Sequence, residues 1–262
     1  MSLFHPATNR SEHAEARLKS ETEYSDDRYA GNTRARADKF YLVTGESNDF
    51  YRGRVLEDVH DKRVLEYGCG TGSAAFDIGK VGGRAVGIDI SPVAISLATE
   101  QAQERGIADN VEFAVMNAEE LRFPNASFDR VCGSGIIHHL DISRALPEIA
   151  RVLRPGGRAV FTEPLGHNPL INAYRRLTPD LRTVDEHPLL RKDIRQIEAA
   201  GEYFRAVRTR YFHLTALAAV PLRNTRAFRL VNGSLDRLDR ALLRPRTPLR
   251  WCAWFVVIEL NT

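Results

Sequence analysis

A chain of 262 residues with 43% hydrophobic content can fill a substantial core, as one large α/β domain or two small ones. A formal charge of +3 is only mildly basic. Nucleic acid as a partner would be better supported by a run of Lys and Arg without compensating acids, so none is expected. Cys69, Cys132 and Cys252 are too scattered for a disulfide framework or a zinc site, so no metal is expected.

The apolar stretches Leu214–Leu222 and Trp251–Leu260 are too short to span a bilayer, and the polar N-terminus lacks a signal-peptide core. A cytoplasmic location is expected. The first twenty or so residues read as mobile, with Glu12–Glu23 able to form a solvated helix. Thr33–Glu57 turns helical in two pieces, broken near Thr44–Asn48. Tyr41 sits on the first piece and Phe50, Tyr51, Val55 and Leu56 on the second. Residues 1–60 thus read as a tail and helical cap, and 61–262 as the core.

That core begins with Val64-Leu65-Glu66-Tyr67, a short apolar run typical of a buried parallel strand. It passes through Gly68, Gly70 and Gly72 into a helix starting near Ser73. A strand that becomes a helix over glycines makes a ligand cradle, because glycine lets a ligand lie against bare backbone. The dinucleotide fingerprint G-x-G-x-x-G would need a glycine at position 73, where this chain has Ser73. Glu66 would repel a pyrophosphate and would suit an ammonium or sulfonium group.

These residues resemble motif I of the class I S-adenosylmethionine (SAM)-dependent methyltransferases, an acid followed by x-G-x-G-x-G. The likeness is good from Arg63 to Pro164. It implies SAM as cofactor, S-adenosylhomocysteine (SAH) as product and a small-molecule acceptor. It also implies a Rossmann-like, seven-stranded, mostly parallel sheet with helices on both faces, an N-terminal cap and insertions after strands five and six.

Arg84–Asp89 is the second strand, and its terminal Asp89 could accept from both hydroxyls of an adenosine ribose. Ser91 before Pro92 supplies the next helix cap, and Gly106 the stop. Val111–Val115 is the third strand. The resemblance puts the adenine contacts just beyond it, among Asn117, Ala118 and Glu119. Glu66, Gly68, Cys69, Gly70, Gly72, Asp89, Ile90 and Ser134 complete the expected cofactor set.

The fourth strand, Phe128–Gly133, leads into Ser134-Gly135-Ile136-Ile137-His138-His139. Ligands sit beyond the carboxyl ends of such strands, so a histidine here could act as general base. His139 is favoured over His138, with a turn-shaping role the alternative. Ser143–Leu153 is an amphipathic helix and Arg158–Glu163 the fifth strand. Alternation of strand and helix to this point argues for a parallel sheet.

The polar and aromatic segment 164–190 departs from a minimal core and is read as substrate recognition. His167, Tyr174 and Arg175 are its candidate pocket residues, with Tyr41 facing them from the cap. Asp185-Glu186-His187 offers a second base, or else only a helix cap before Leu189–Ala200. Tyr203–His213 is the sixth strand and Trp251–Leu260 the last. Between them, within an insertion at about 214–248, Val231, Leu235, Leu238 and Leu242 mark an amphipathic helix. It could be a lid, a dimer face or a peripheral membrane contact, so both monomer and homodimer stay open. The reading is methyl transfer to a hydrophobic or aromatic acceptor, with oxygen slightly favoured over nitrogen or carbon. A non-catalytic SAM-binding regulator and a dinucleotide-dependent oxidoreductase are the alternatives.

Overall fold

The computed structural model describes residues 17–23, 25–26, 29, 41–177, 188–244 and 247–262, with only the backbone at 174, 175 and 177. The elements are α1 (Gly45–Leu56), β1 (Arg63–Tyr67), α2 (Ala74–Lys80), β2 (Arg84–Asp89), α3 (Pro92–Glu104), β3 (Val111–Val115) and β4 (Phe128–Ser134). There follow α4 (Ile142–Val152), β5 (Leu153–Pro164), α5 (Pro169–Leu177), α6 (Arg191–Glu198), β6 (Ala206–Phe212), α7 (Phe228–Leu242) and β7 (Phe255–Asn261). All seven strands form one sheet in the order β3-β2-β1-β4-β5-β7-β6. Pairing is parallel from β3 through β5, and β7 runs antiparallel to both its neighbours.

This is the seven-stranded, mostly parallel α/β architecture expected from the alternating elements. The sheet is buried on both faces, because successive strand residues point into different clusters. Leu65 and Tyr67 of β1, Phe161 of β5 and Ile258 of β7 pack on one side with Ile149 and Ile194. Val64, Val160 and Val257 pack on the other with Phe76 and Ile78. Each such side chain contributes about 1.5–3 kcal/mol by leaving water.

The chain order along the sheet reverses between β1 and β4. That reversal opens a crevice at the carboxyl ends of these two strands, where open α/β sheets take ligands. A third cluster, with Val43, Ile171, Val220 and Trp254, roofs the same end nearer β7.

Several boundaries differ from the sequence expectation. The break expected near Thr44–Asn48 lies slightly earlier, at 42–44, between a helical residue at Tyr41 and the start of α1 at Gly45. There the N–H of Asn48 bonds to the carbonyl of Thr44. β6 starts at Ala206, because the N–H groups of Tyr203 and Phe204 close a turn on the carbonyl of Ala200.

The end of β6 is tied to α1 and α7 through a buried histidine. His213 is 1% exposed and holds a left-handed φ of 61°. Its Nε2 donates to Ser47 Oγ at 2.8 Å, since the Ser47 hydroxyl itself donates to the Thr44 carbonyl. Its bare Nδ1 stands 3.8 Å from Asp236 Oδ1 on α7. Burial pushes His213 down from 6.5 to about 4. Burial, with Glu46 and Asp239 adding, pushes Asp236 up from 3.8 to about 6.

Stability from His213 is lost as pH falls from 6.5 through 4, and stability from Asp236 is lost as pH rises from 3.8 through 6. The two slopes oppose between about pH 4 and 6. Asp236→Asn should therefore make the urea midpoint fall more steeply with acidification across this window than in the parent. A parent protein as steep as the variant would show that the opposition does not exist.

Candidate functional site

Beyond β1 the chain turns through Gly68, Gly70 and Gly72, with φ of 59°, 52° and 86°. Positive φ is costly for any side chain larger than glycine's hydrogen. Space is also short. A Cβ at Gly68 would lie 2.7 Å from the Ile136 side chain, and one at Gly70 would lie 2.5 Å from Tyr29 Oη. The loop after β4 and the N-terminal segment thus close directly over the glycine turn.

The structure corrects the role of Glu66. Its carboxylate is 1% exposed and accepts from Ser73 Oγ at 2.7 Å, Ala74 N at 3.0 Å and Ala75 N at 2.7 Å. It caps α2 from within and is not presented to a ligand. The first-turn N–H groups that would cradle a pyrophosphate are already taken by a negative charge. Burial pushes the Glu66 carboxyl up, while these hydrogen bonds hold it back. Cys69 is likewise no side-chain contact for a ligand. Its thiol is buried beside Gly87, and burial next to Glu66 and Asp89 raises its pKa.

Asp89 ends β2 and is 8% exposed. Oδ2 accepts from Gly70 N and Oδ1 from Ser91 N, each at 2.9 Å. Each oxygen keeps a free acceptor position, so two ribose hydroxyls can still be bound. Ser91 caps α3 by accepting from Ala94 N at 3.0 Å, and its hydroxyl donates to Asp26. Ile90 follows, half-buried.

Beyond β3, Asn117 accepts from Glu119 N at 2.9 Å, which folds the turn around buried Ala118. The Glu119 side chain is engaged by other parts of the protein. Oε1 takes Asp141 N at 2.7 Å and a guanidinium N–H of Arg17, and Oε2 lies 3.5 Å from Arg144. Glu119 therefore anchors the N-terminal segment. Residues 17–23 do form a helix, but a docked one. Arg17 also donates to the His139 carbonyl at 2.8 Å, and Glu21 meets His139 Nδ1 at 3.1 Å. The expected solvated helix is a strap across the site. The sequence gives no sign of this, because Arg17 and Glu119 stand 102 positions apart.

The histidine pair lies on a short 3₁₀ turn, Ile137–His139, with ring centroids 4.1 Å apart. Glu163, absent from the sequence-derived set, is fully buried beneath it at the end of β5. Its Oε1 accepts from Ile136 N at 2.9 Å and Ile137 N at 2.8 Å, and its Oε2 lies 2.7 Å from His138 Nδ1. A carboxylate only accepts, so Nδ1 carries the proton and Nε2 of a neutral ring is left as the acceptor. A signal for Glu163 did exist: like Glu66 and Asp89, it is an acid at the carboxyl end of a parallel strand. Ser134, at the end of β4, is exposed.

On the acceptor side, Tyr41 is 50% exposed and packs 5.7 Å from Trp254 and 6.4 Å from Phe255, ring to ring. Phe255 pairs with Pro164 at the end of β5. This places an aromatic wall at the same end of the sheet as the glycine turn. His167 Nε2 accepts from Arg191 N at 3.2 Å, and burial with Arg191 beside it lowers its pKa. His187 and the side chains of Tyr174 and Arg175 lie outside the described residues.

The site's makeup agrees with what the chain is similar to. Residues 65–161 match the methyltransferase domain family. The likeness is thus to a methyltransferase domain that spans these residues of the chain. The chain is 43% identical over 115 residues to the aklanonic acid methyltransferase DauC of Streptomyces sp. (strain C5), covering 42% of this chain and 52% of DauC. The demethylmenaquinone methyltransferase of Lactococcus lactis subsp. lactis is 32% identical over 142 residues, 52% of this chain and 55% of that one. The chain thus spans about half the length of the curated relatives it matches.

The geranyl diphosphate C-methyltransferase of Streptomyces coelicolor A3(2), solved with Mg2+, geranyl diphosphate and SAH, shares the fold at a TM-score of 0.59. Identity there is 13%, over 94% of this chain and 97% of that one. The methyltransferase domain here has a cradle that fits the family cofactor. Asp89 retains acceptor positions for the hydroxyls of a nucleoside.

Proposed function

We propose that this chain transfers a methyl group from SAM to oxygen on a small, hydrophobic, aromatic acceptor. The Asp89–Gly70–Ser91 arrangement beside an internally capped α2 carries the reading. It offers hydrogen-bond acceptors to a ribose and denies the helix N-terminus to a pyrophosphate. Gly68, Gly70, Asp89, Ile90, Asn117 and Ala118 would hold the cofactor, which supplies an electrophilic methyl carbon on a sulfonium sulfur.

The chain's own contribution is to place the acceptor in line and to take its proton. We assign the proton to His138 Nε2, with Glu163 holding Nδ1–H and stabilising the charged ring. His139, the sequence-favoured base, is engaged by Glu21 of the strap. The wall of Tyr41, Trp254 and Phe255 suits a flat apolar acceptor. Relatives are named as methyltransferases of aklanonic acid and demethylmenaquinone and as an O-methyltransferase, which supports a small organic acceptor.

The test is to incubate the full chain with SAM and a panel of hydroxylated polycyclic aromatics and quinols. Formation of SAH together with a product heavier by one methylene is expected. SAH that binds without any acceptor being consumed would favour a regulatory module. Tight binding of NADH in place of SAH would remove the reading altogether.

A further inference from the structure

Residues 221–250 hold eight arginines against two aspartates, a formal +6, while the whole chain carries only +3. The rest of the protein is therefore net −3, and the basic charge is gathered in one segment. Its main element is α7, whose inner face sets Phe228, Val231 and Leu235 into the apolar cluster that includes Val43, Ala219 and Trp254. At 100° per residue, Leu230, Ser234, Arg237, Leu238 and Ala241 share an outer arc of about 100°. Leu230 is 75% exposed and Leu238 46%, with Leu249 nearby in sequence at 43%. Arg223, Arg226, Arg229, Arg237 and Arg244 are exposed along the same stretch. Arg240 is paired with Glu46.

We propose that the outer face of α7 docks on an anionic lipid bilayer. Exposed leucines flanked by arginines are what an interfacial helix presents, with the leucines entering the acyl boundary and the cations meeting headgroup phosphates. Charge complementarity selects this occupant. A two-fold dimer through the same face would set arginines against arginines. Nucleic acid would meet the arginines but leave the leucines with nothing to bury them. The roofing cluster under α7 contains Ile171 and Trp254, so the docked face lies at the end of the sheet that holds the candidate site. The proposal stands on this surface alone and does not depend on the methyl-transfer reading.

Co-sedimentation of the full chain with vesicles tests it. Equimolar phosphatidylcholine–phosphatidylglycerol vesicles should bind at least about tenfold more protein than phosphatidylcholine alone, with the excess lost between about 0.1 and 0.5 M salt. Leu230→Asp with Leu238→Asp, and separately Arg226→Glu with Arg229→Glu and Arg237→Glu, should each abolish the excess. Both variants should keep the parent circular dichroism and SAH affinity. The proposal is overturned if the parent ignores anionic vesicles or if either folded variant binds them like the parent. It is equally overturned if the parent prefers duplex DNA to the vesicles, or forms a dimer that the leucine variant dissociates while vesicle binding persists.

Discussion

Asp89→Ala is expected to weaken SAH binding by at least about a hundredfold in titration calorimetry. A hydrogen bond to a charged group contributes about 1.5–3 kcal/mol, and 1.4 kcal/mol is about tenfold in affinity. Losing two such bonds to ribose hydroxyls gives roughly two to four powers of ten. The loss compounds, because Gly70 N and Ser91 N would also lose their acceptor and the glycine turn its brace. Asp89→Asn keeps the shape without the charge and should fall between parent and alanine. An alanine variant binding SAH as tightly as the parent would reduce Asp89 to a loop support.

Glu163→Gln should lower turnover by about a hundredfold while leaving SAH affinity nearly unchanged, since a positioned base contributes about 10²–10⁴-fold. The amide oxygen can still accept from Ile136 N and Ile137 N, so the turn keeps its shape. The amide nitrogen, now facing His138 Nδ1, can only donate. That forces the ring proton onto Nε2 and removes the acceptor the acceptor molecule needs. Glu163→Ala should behave differently. It leaves two buried N–H groups unsatisfied, at about 1–3 kcal/mol each, and should lower the thermal midpoint as well. A glutamine variant with parental turnover would mean that the acceptor arrives already ionised and that Glu163 only shapes the turn.

Much of the frame could be read from residues alone because its signals are local. Short apolar runs between turn residues gave β1 to β5, and Ser91 before Pro92 gave the start of α3 with its cap. Element ends were less well placed. α7 begins three residues before Val231, since Phe228 also packs inward, and α6 runs on through turns that delay β6. Glu66 shows a subtler failure. Its position suggested a charge near the ligand, but only coordinates reveal that the carboxylate folds back onto Ser73, Ala74 and Ala75.

What the chain by itself determined is the glycine turn, the acids closing β1 and β2, and a sheet buried on both faces. These follow from glycine's freedom at positive φ and from side-chain period, properties of neighbours a few residues apart. Tertiary structure alone decided which histidine has a buried carboxylate behind it, where Glu119 spends its charge, and that residues 17–23 lie across the site. Those are matters of hydrogen-bond partnership over 22 to 122 positions. A polar side chain looks the same in sequence whether it meets water or a buried ion, and only packing assigns it to one of them.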